Sequence, residues 1–509
     1  MGTDRLLQLS DGSAQRHRSA GSGQAGCQER KEVKKKEKRQ EKKRREVNKE
    51  FARVTYVFVA IFLILMIYIV HFNVVTSKEI VNSPYNPRLD SMADGVVRGK
   101  ILDKDGNVLA GTDYADDGSE YRYYPYGEIY AHVVGYFSQG KSGLESTENF
   151  DLLTSNAFFL EKLKKEFQDQ KNIGDNIVTT LDSNLQQAAY NALGANKGAV
   201  LVMDPTTGAI KAMVSKPSFD PNYVIQNWDS LNADSNSVLL NRVTMGQYAP
   251  GSTFKIITAL EYMRENADYA NYSYDCVGEI VYDGTTIPCA GHTAHGIVNL
   301  SGSFAYSCNS SFCNMGLHLD VASYQRTAKE LLFNSKLPGD FSYNKSSFNL
   351  EKNDSTADLM MTAMGQGETQ MSPYHMALII SAIANGGTLM EPYLVDSVTN
   401  YTGTIIKETT PEKYKDLMTA EEAFQLKAYM QEVVNYGTAS VLSGQTYTAA
   451  GKTGTAEYSS ESSDLNHSWF VGFTNVDNPE LVISVIVEES NGNTKAVNVA
   501  KQILEEKYQ

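Results

Sequence analysis

The stretch Pro250-Gly251-Ser252-Thr253-Phe254-Lys255 runs directly into the apolar residues Ile256, Ile257, Ala259 and Leu260. The Pro-Gly pair predicts a turn, and the apolar residues predict a buried helix that opens near the serine. Side chains three residues apart share one helix face, which places Lys255 within reach of the Ser252 hydroxyl. A serine becomes nucleophilic when a neighbouring base takes its proton. The stretch therefore predicts Ser252 as a nucleophile and Lys255 as its base.

Two further motifs follow in an order typical of acylating serine enzymes without a catalytic histidine. They are Ser307-Cys308-Asn309 and Lys452-Thr453-Gly454. Other Ser-x-x-Lys matches begin at Ser138 and Ser342, but the first lies in a glycine-rich stretch that predicts a loop, and neither precedes a comparable helix. A motif counts only in its context, and the ordered set predicts a nucleophile, a base and a substrate clamp.

Charge is distributed unevenly along the 509 residues, whose formal net charge is −14. Residues 1–53 carry more Lys and Arg than Asp and Glu, whereas residues 54–77 carry no charged side chain. About 20 apolar residues span a bilayer core, so this run predicts one transmembrane helix. Basic flanks stay in the cytoplasm, which places residues from about 78 onward outside. A cleaved signal peptide is disfavoured because no small-x-small site follows the apolar run.

Patterning beyond the membrane predicts two domains. The Lys104-Asp105-Gly106-Asn107 segment between short apolar runs predicts a hairpin in a small β-rich pedestal. From residue 175 onward, strand-like runs such as 199–214 and 481–487 alternate with helical patterns, including a last helix at 495–507. We therefore predict an α+β fold and four segments: a basic, largely disordered cytoplasmic tail at 1–53, a transmembrane helix at 54–75, a pedestal domain at 76–174 and a catalytic domain at 175–509.

Five cysteines in 509 residues do not indicate a disulfide scaffold. Cys276 and Cys289 flank a predicted hairpin centred on Asp283-Gly284, and a disulfide between them is one alternative. A zinc site made of these two cysteines with His292 and His295 is another, although the spacing is not a standard one. The simplest interpretation is a surface loop, so we predict no metal and no cofactor. The basic tail mixes Glu with Lys and Arg, which predicts a solvated helix and no nucleic-acid partner.

Taken together, these residues resemble the class B penicillin-binding proteins, the monofunctional transpeptidases that cross-link bacterial peptidoglycan. The resemblance covers roughly residues 75–509. It rests on the three motifs and on Gly365-Gln366-Gly367, Gln370-Met371-Ser372-Pro373, Ala450-Gly451-Lys452-Thr453-Gly454-Thr455-Ala456-Glu457, Trp469-Phe470-Val471-Gly472-Phe473, Arg98-Gly99-Lys100-Ile101-Leu102 and Ser142-Gly143-Leu144-Glu145. It implies a penicillin-binding, serine β-lactamase-like fold in which an antiparallel sheet is flanked by helices. Only about 100 residues separate the membrane helix from the catalytic domain, too few for an added glycosyltransferase domain.

The resemblance also implies roles for individual residues. Ser252 would attack the penultimate D-alanine of a stem peptide and release the terminal D-alanine, with Lys255 as base, its pKa lowered by repulsion from Lys452. Ser307 and Asn309 would relay protons and hold the peptide. The substrate carboxylate would bind Lys452 and Thr453, Gly454 would admit the substrate backbone, and the amides of Ser252 and Thr455 would form the oxyanion hole.

The same three motifs serve serine β-lactamases and penicillin sensors. A class A β-lactamase adds a deacylating glutamate in a Glu-x-x-Leu-Asn stretch, which Glu330 to Asn334 and Glu351 to Asn353 do not match. A sensor needs a folded cytoplasmic module, for which residues 1–53 are too short and too charged. A scaffold without chemistry is disfavoured by the intact motifs. The expected partners are stem peptides, β-lactams, the cell membrane and a membrane glycosyltransferase of the shape, elongation, division and sporulation type.

Overall fold

A computed structural model of the chain describes residues 23–73, 93–457, 466–490 and 494–509. It divides the chain into two compact units, residues 1–80 and residues 81–509. The domain boundaries predicted within these units stay predictions.

The first unit contains one long helix, Gly23–His71. Its apolar part has a mean hydropathy of 2.5 over an 18-residue window, and none of that window is buried, so it is long and apolar enough to cross a membrane. Residues 23–53 are helical, which agrees with the solvated helix predicted for the basic run but not with the largely disordered tail expected at 1–53. Good helix formers and Glu–Lys and Glu–Arg pairs four residues apart, such as Glu32 with Lys36 and Glu41 with Arg45, explain this difference. Residues 1–22 of the predicted tail and 74–75 of the predicted membrane helix lie outside the described residues.

The second unit is built around a five-stranded sheet, called here the central sheet. Each neighbouring pair of its strands is antiparallel. In spatial order the strands are Ala449–Glu457, Asn466–Thr474, Val482–Val487, Gly198–Met203 and Ile210–Lys216. Every residue of the third and fourth strands is buried, so both sheet faces are covered. The strand at Ala449–Glu457 is the edge that carries the third motif.

Helices cover the central sheet. Ser183–Leu193 and Ala496–Tyr508 pack on each other and on the sheet, and the fully buried Pro373–Ala384 packs on its inner strands. Ala420–Asn435 packs along the edge strand. Asp182 caps Ser183–Leu193 by accepting hydrogen bonds from the amides of Asn184 and Leu185, and such side-chain caps satisfy otherwise unpaired helix donors. The predicted α+β fold, a helix-flanked antiparallel sheet, is confirmed.

A six-stranded sheet, called here the pedestal sheet, joins distant parts of the chain. Its strands in order are Ile405–Glu408, Val395–Thr399, Asn176–Thr179, Ile101–Leu102, Val108–Tyr114 and Glu120–Tyr123. The hairpin predicted at 104–107 is confirmed, because Ile101–Leu102 pairs antiparallel with Val108–Tyr114 across it. Asn176–Thr179 pairs with strands from both sides of the predicted boundary at 175. The sheet is therefore continuous across that boundary.

The other strand pairs and helices of the second unit complete the fold. The remaining strand pairs are Val96–Val97 with Asn172–Ile173, Tyr274–Cys276 with Gly296–Val298, Glu279–Tyr282 with Thr285–Pro288, and Thr388–Met390 with Lys413–Asp416. The remaining α-helices are Ala131–Val134, Gly143–Thr147, Asn149–Leu153, Phe159–Phe167, Val224–Asn232, Lys255–Glu265, Leu300–Ala305, Asn309–Gly316, Val321–Glu330 and Thr356–Ala363.

A buried charge cluster ties the pedestal segments together. The Glu145 carboxylate accepts hydrogen bonds from Arg98 Nε and from Arg122 Nε, each at 2.6 Å. The Glu145 side chain is fully buried, and those of the two arginines are 5% and 6% exposed. The pKa of Glu145 is lowered: burial opposes ionisation, but the two guanidinium groups outweigh it. The segments that contain Arg98 and Glu145 are far apart in the sequence but meet in one ion cluster.

We expect Glu145→Gln to destabilise the second unit by about 3–5 kcal/mol, because removal of one partner leaves buried charges uncompensated. Thermal unfolding followed by circular dichroism measures the loss. The matched control is Asp416→Asn, which breaks the exposed Lys413–Asp416 pair and should change stability by less than about 1 kcal/mol. Equal effects of the two substitutions would contradict the prediction.

Candidate active site

Ser252 lies in a short turn that leads into a buried helix. The 3₁₀ turn Gly251–Phe254 precedes the helix Lys255–Glu265, so the α-helix begins three residues after the serine. Phe254 is fully buried, whereas Ser252 is half-buried. The buried phenylalanine anchors the turn and leaves the serine at the surface of the site.

Glycines allow three segments to meet at this turn. Gly251 has a φ of +53°, and its amide donates to Gly365 O at 2.8 Å. A Cβ on Gly365 would lie 1.9 Å from Gly251 O, and one on Gly251 would lie 2.4 Å from Thr455 O. Such approaches exclude any side chain. The Gly365-Gln366-Gly367 segment therefore packs directly against the turn Gly251–Phe254, which is called here the nucleophile turn after the role predicted for Ser252.

Lys255 is fully buried, and its amine is surrounded by groups from the second motif. Its Nζ donates to Ser307 O and to Asn309 Oδ1, each at 2.7 Å, and lies 3.3 Å from Ser307 Oγ. Asn309 Nδ2 donates to Pro288 O at 2.9 Å. An amide nitrogen has two hydrogens, so one of them is left after that contact. Asn309 thus orients the amine.

Ser307 connects the two lysines. Its Oγ accepts a hydrogen bond from Lys452 Nζ at 2.8 Å. Its backbone has a φ of +56°, in the left-handed region that non-glycine residues rarely adopt. Such a conformation persists where the surrounding contacts enforce it. The structure therefore brings Lys255, Ser307, Asn309 and Lys452 into one hydrogen-bonded group.

Both buried amines have lowered pKa values. Burial lowers the pKa of Lys255 to about 8, opposed by the nearby Cys308, Cys313 and Cys289. Burial, and then repulsion by Lys255, lower the pKa of Lys452 well below its usual range. The direction predicted for Lys255 is found, but its cause differs: loss of water is the main effect, and the like-charge repulsion acts on Lys452.

The third motif lies on the edge strand beside the nucleophile turn. Thr453 Oγ1 is 2.6 Å from Thr438 Oγ1, so the two hydroxyls form a pair. A Cβ on Gly454 would lie 3.0 Å from Thr253 Cγ2 and 3.1 Å from Pro250 O. Gly454 therefore allows the strand to approach the protein's own nucleophile turn, in addition to the role expected of it toward substrate.

Thr455 directs its backbone toward the same turn. Its carbonyl oxygen faces Gly251, and Gln366 Nε2 donates to it at 3.5 Å. In an antiparallel strand, the N–H and C=O of one residue point to the same side. The Thr455 amide therefore points away from the sheet, toward Ser252.

Sequence reasoning missed several contributors to this site. Thr438 gave no motif signal, because a lone threonine after a helix is common. Pro288 acts through its carbonyl, which is independent of side-chain type. Gly365 is part of a stretch that resembles the family but carries no chemical group of its own. Its contact with the nucleophile turn joins distant parts of the sequence and so depends on the fold.

A cluster of sulfur and nitrogen atoms lies directly behind the second motif. Among the described residues, Cys276, Cys289, His295 and Cys308 place one ligand atom each within 4.8 Å of one another. The alternative of a Cys276–Cys289 disulfide does not match the structure, in which both are free thiols with sulfurs 3.6 Å apart. His292, named in the zinc alternative, is exposed and lies beside Glu279. Cys308 is the fourth member of the cluster in place of His292.

Family models match most of the second unit. The model described as penicillin binding protein transpeptidase domain matches residues 198–505. A second model, penicillin binding protein A dimerisation domain, matches residues 98–177.

Individual relatives agree with these matches. A peptidoglycan D,D-transpeptidase, PbpA, of Mycolicibacterium smegmatis is 31% identical over 79% of this chain and 86% of its own length. The D,D-transpeptidase domain of a peptidoglycan glycosyltransferase from Eggerthella lenta has a TM-score of 0.71 at 31% identity, covering 80% of this chain and 98% of that one. The penicillin G acyl-enzyme complex of penicillin-binding protein A from M. tuberculosis has a TM-score of 0.73 at 28% identity, covering 81% and 99%.

A base must be unprotonated to accept a proton, so a pKa of about 8 for Lys255 predicts how the reactivity of Ser252 varies with pH. We expect the rate of acylation by labelled penicillin to rise about tenfold per pH unit below about pH 8 and to level off above it. Stopped-time gel fluorescence between pH 5.5 and 9.5 measures the rate. The stability of the protein and of the free label is measured at each pH as a control. A rate that is flat, or that falls as pH rises toward 8, would contradict Lys255 as the base.

Proposed function

Because this chain belongs to the class B penicillin-binding proteins, we propose that it is a serine-type peptidoglycan D,D-transpeptidase that works through an acyl-enzyme on Ser252. The observation that carries the proposal is the hydrogen-bonded group of Lys255, Ser307, Asn309 and Lys452 beside the nucleophile turn. The names of the M. smegmatis and M. tuberculosis relatives support the same chemistry.

Lys255 is arranged to act as a base when it is neutral. A neutral amine has two hydrogens and one lone pair, and its two nearest acceptors are Ser307 O and Asn309 Oδ1. When both hydrogens are donated to these oxygens, the lone pair is free to accept a proton. Lys255 is the first residue of its helix and directly follows the turn that presents Ser252. The proton it takes is that of the Ser252 hydroxyl.

Acylation then proceeds by attack of Ser252 Oγ on the carbonyl carbon of the penultimate D-alanine. The new Oγ–C bond forms, the C–N bond to the terminal D-alanine breaks, and the leaving amine needs a proton. Ser307 Oγ accepts from Lys452 at 2.8 Å, which leaves its own hydrogen available for the leaving nitrogen. Ser307 gives its hydrogen to the leaving nitrogen and receives in its place, from Lys255 Nζ at 3.3 Å, the proton that Lys255 removed from Ser252.

The oxyanion formed during attack is stabilised by the amides of Ser252 and Thr455. Support comes from the edge strand, where the Thr455 carbonyl and amide both face the nucleophile turn. Each such donor contributes on the order of 10²–10³ in rate. Gly454 keeps this strand close enough for both amides to reach one oxygen.

The substrate carboxylate binds at the third motif. Lys452 supplies charge, and Thr453, paired with Thr438, supplies hydroxyl donors. A carboxylate placed beside Lys452 favours its protonated form and so reverses the effect of burial on the pKa of this lysine. β-Lactams carry a comparable carboxylate and acylate Ser252 by the same route. An amine from a second stem peptide resolves the ester, and water gives a carboxypeptidase side reaction.

The setting of the reaction is the outer face of the bacterial cell membrane. The exposed apolar side chains of Gly23–His71 fit a single membrane-spanning helix, and the basic residues before them favour a cytoplasmic N-terminus. A pedestal at 76–174 precedes the catalytic domain at 175–509. A membrane glycosyltransferase of the shape, elongation, division and sporulation type supplies the glycan strands that are cross-linked. Nucleic acid has no place in this chemistry.

Ser252→Ala is expected to abolish covalent capture of labelled penicillin, because the attacking oxygen is removed. Mass spectrometry of the labelled wild-type protein should place the adduct on the peptide that contains Ser252. Ser138→Ala and Ser342→Ala are matched controls that alter the other Ser-x-x-Lys sequences, and both should retain capture. An adduct on Ser138 or Ser342 would overturn the assignment.

The orientation is tested with intact spheroplasts of cells that produce the full chain. Added protease should digest the chain beyond about residue 78 and leave the basic N-terminal segment protected. Antibody tags at either terminus identify the surviving fragment, and lysed spheroplasts give the control for complete digestion. A protected catalytic domain would refute both the orientation and access to peptidoglycan.

A further inference from the structure

We propose that Cys276, Cys289, His295 and Cys308 bind a structural Zn²⁺ ion that fixes the position of Ser307 and Asn309. This set differs from the alternative that the sequence offers, because Cys308 takes the place of His292. The three cysteines are at most 2% exposed, and His295 is half-buried. Buried thiols and an imidazole nitrogen are the ligands that zinc prefers in structural sites.

Three of the six distances between the ligand atoms are close to the edges of a tetrahedron around zinc, and all six are within 4.8 Å. Cys276 Sγ is 3.6 Å from Cys289 Sγ, Cys289 Sγ is 3.7 Å from Cys308 Sγ, and His295 Nδ1 is 3.3 Å from Cys276 Sγ. Zn–S bonds of about 2.3 Å and Zn–N bonds of about 2.0–2.1 Å at tetrahedral angles separate two sulfurs by about 3.8 Å and a sulfur and a nitrogen by about 3.6 Å. A disulfide requires about 2.05 Å. The geometry favours an ion.

The backbone holds the four ligands in place from three directions. Cys276 ends one strand of a two-stranded ladder and pairs with Gly296, which follows His295. Cys289 follows the hairpin formed by Glu279–Tyr282 and Thr285–Pro288, and its amide donates to Gly278 O at 2.8 Å. This hydrogen bond joins the two ends of the hairpin next to the ladder in which Cys276 pairs with Gly296.

The fourth ligand comes from the second motif itself. Cys308 is the N-cap of the helix Asn309–Gly316, and its sulfur accepts from the Ser311 amide. The buried Ser310 hydroxyl lies 3.2, 3.1 and 3.5 Å from the sulfurs of Cys276, Cys289 and Cys308. A hydroxyl in this place donates to thiolates as an outer-shell partner.

Two short connections link the site to the proposed chemistry. Cys308 stands between Ser307, whose φ is +56°, and Asn309. Pro288, next to Cys289, accepts from Asn309 Nδ2 at 2.9 Å. An ion bound to Cys289 and Cys308 therefore restrains both sides of Asn309 and the backbone of Ser307. The four ligands act as positioning residues, without contact to substrate.

Metal content of the full chain, purified in detergent under reducing conditions, tests the proposal. We expect about one zinc per chain by elemental mass spectrometry, the usual content of a four-ligand structural site. Replacement by Co²⁺ should give the absorption bands of tetrahedral thiolate coordination. Cys289→Ser and Cys276→Ser should lose metal, whereas His295→Cys, which restores a ligand, should retain it.

His292→Ala and Cys313→Ser are matched controls from the same region that leave the four ligands intact, and both should keep one zinc. If a cysteine variant fails to fold, the wild-type zinc content, the Co²⁺ spectrum and His295→Cys still decide the question. A wild-type chain that takes up neither zinc nor Co²⁺, a Cys289→Ser chain that keeps its zinc, or a Cys276–Cys289 disulfide in unreduced protein would each overturn the proposal.

Penicillin capture gives a second readout. Chelation of the wild-type chain should slow acylation by up to about 10²-fold, the effect of a small displacement of positioned groups, and added zinc should restore it. Zinc bound at one per chain but without effect on the rate would remove the positioning role. Because metal content is measured without any turnover, failure of the zinc site is distinguishable from failure of the proposed transpeptidase function.

Discussion

Two lysine amines buried around one serine hydroxyl are the constraint on which the active site depends. Burial of an ammonium group is unfavourable unless hydrogen bonds replace its water. Lys255 has Ser307 O and Asn309 Oδ1 as replacements, and Lys452 has Ser307 Oγ and its neighbouring carbonyl, Thr453 O. Ser307 provides two of these oxygens, its backbone carbonyl and its side-chain hydroxyl. The second motif therefore supplies both buried amines with hydrogen bonds in place of water, while burial itself lowers their pKa values.

Close backbone packing is the second requirement. The nucleophile turn, the Gly365 segment and the edge strand approach each other so closely that Gly251 and Gly365 have no room for a side chain, and Gly454 has little. Among the described residues no strand pairs with the outer side of the edge strand, so the backbone groups on that side face the turn. In many sheets an exposed edge is a liability for aggregation. Here the nucleophile turn covers the outer edge of the strand Ala449–Glu457, and the backbone N–H and C=O groups on that edge become part of the site.

Local patterns predicted the parts of the structure that depend on local physics. The apolar run after Ser252 predicted the buried helix that begins at Lys255, and the Asp-Gly pair predicted the hairpin at 104–107. Contacts between distant segments were not accessible in this way: the pairing of Thr438 with Thr453, and Gly365 behind the turn, follow from the fold. His295 rather than His292 faces the cysteines because the strand register pairs Gly296 with Cys276. The helix over 23–53 agrees with the pattern of Glu interspersed with Lys and Arg rather than with the disorder expected of the whole tail.

The pedestal sheet has a mechanical consequence. Asn176–Thr179 is hydrogen-bonded both to Ile101–Leu102 and to Val395–Thr399, so backbone hydrogen bonds join the two sides of the boundary predicted at 175. A load applied to the pedestal is carried along a ladder of backbone bonds, which resists shear better than a single-chain linker. A force on the strands at 101–123 therefore also acts, through Asn176–Thr179, on the strand Val395–Thr399, which follows the buried helix Pro373–Ala384 under the central sheet.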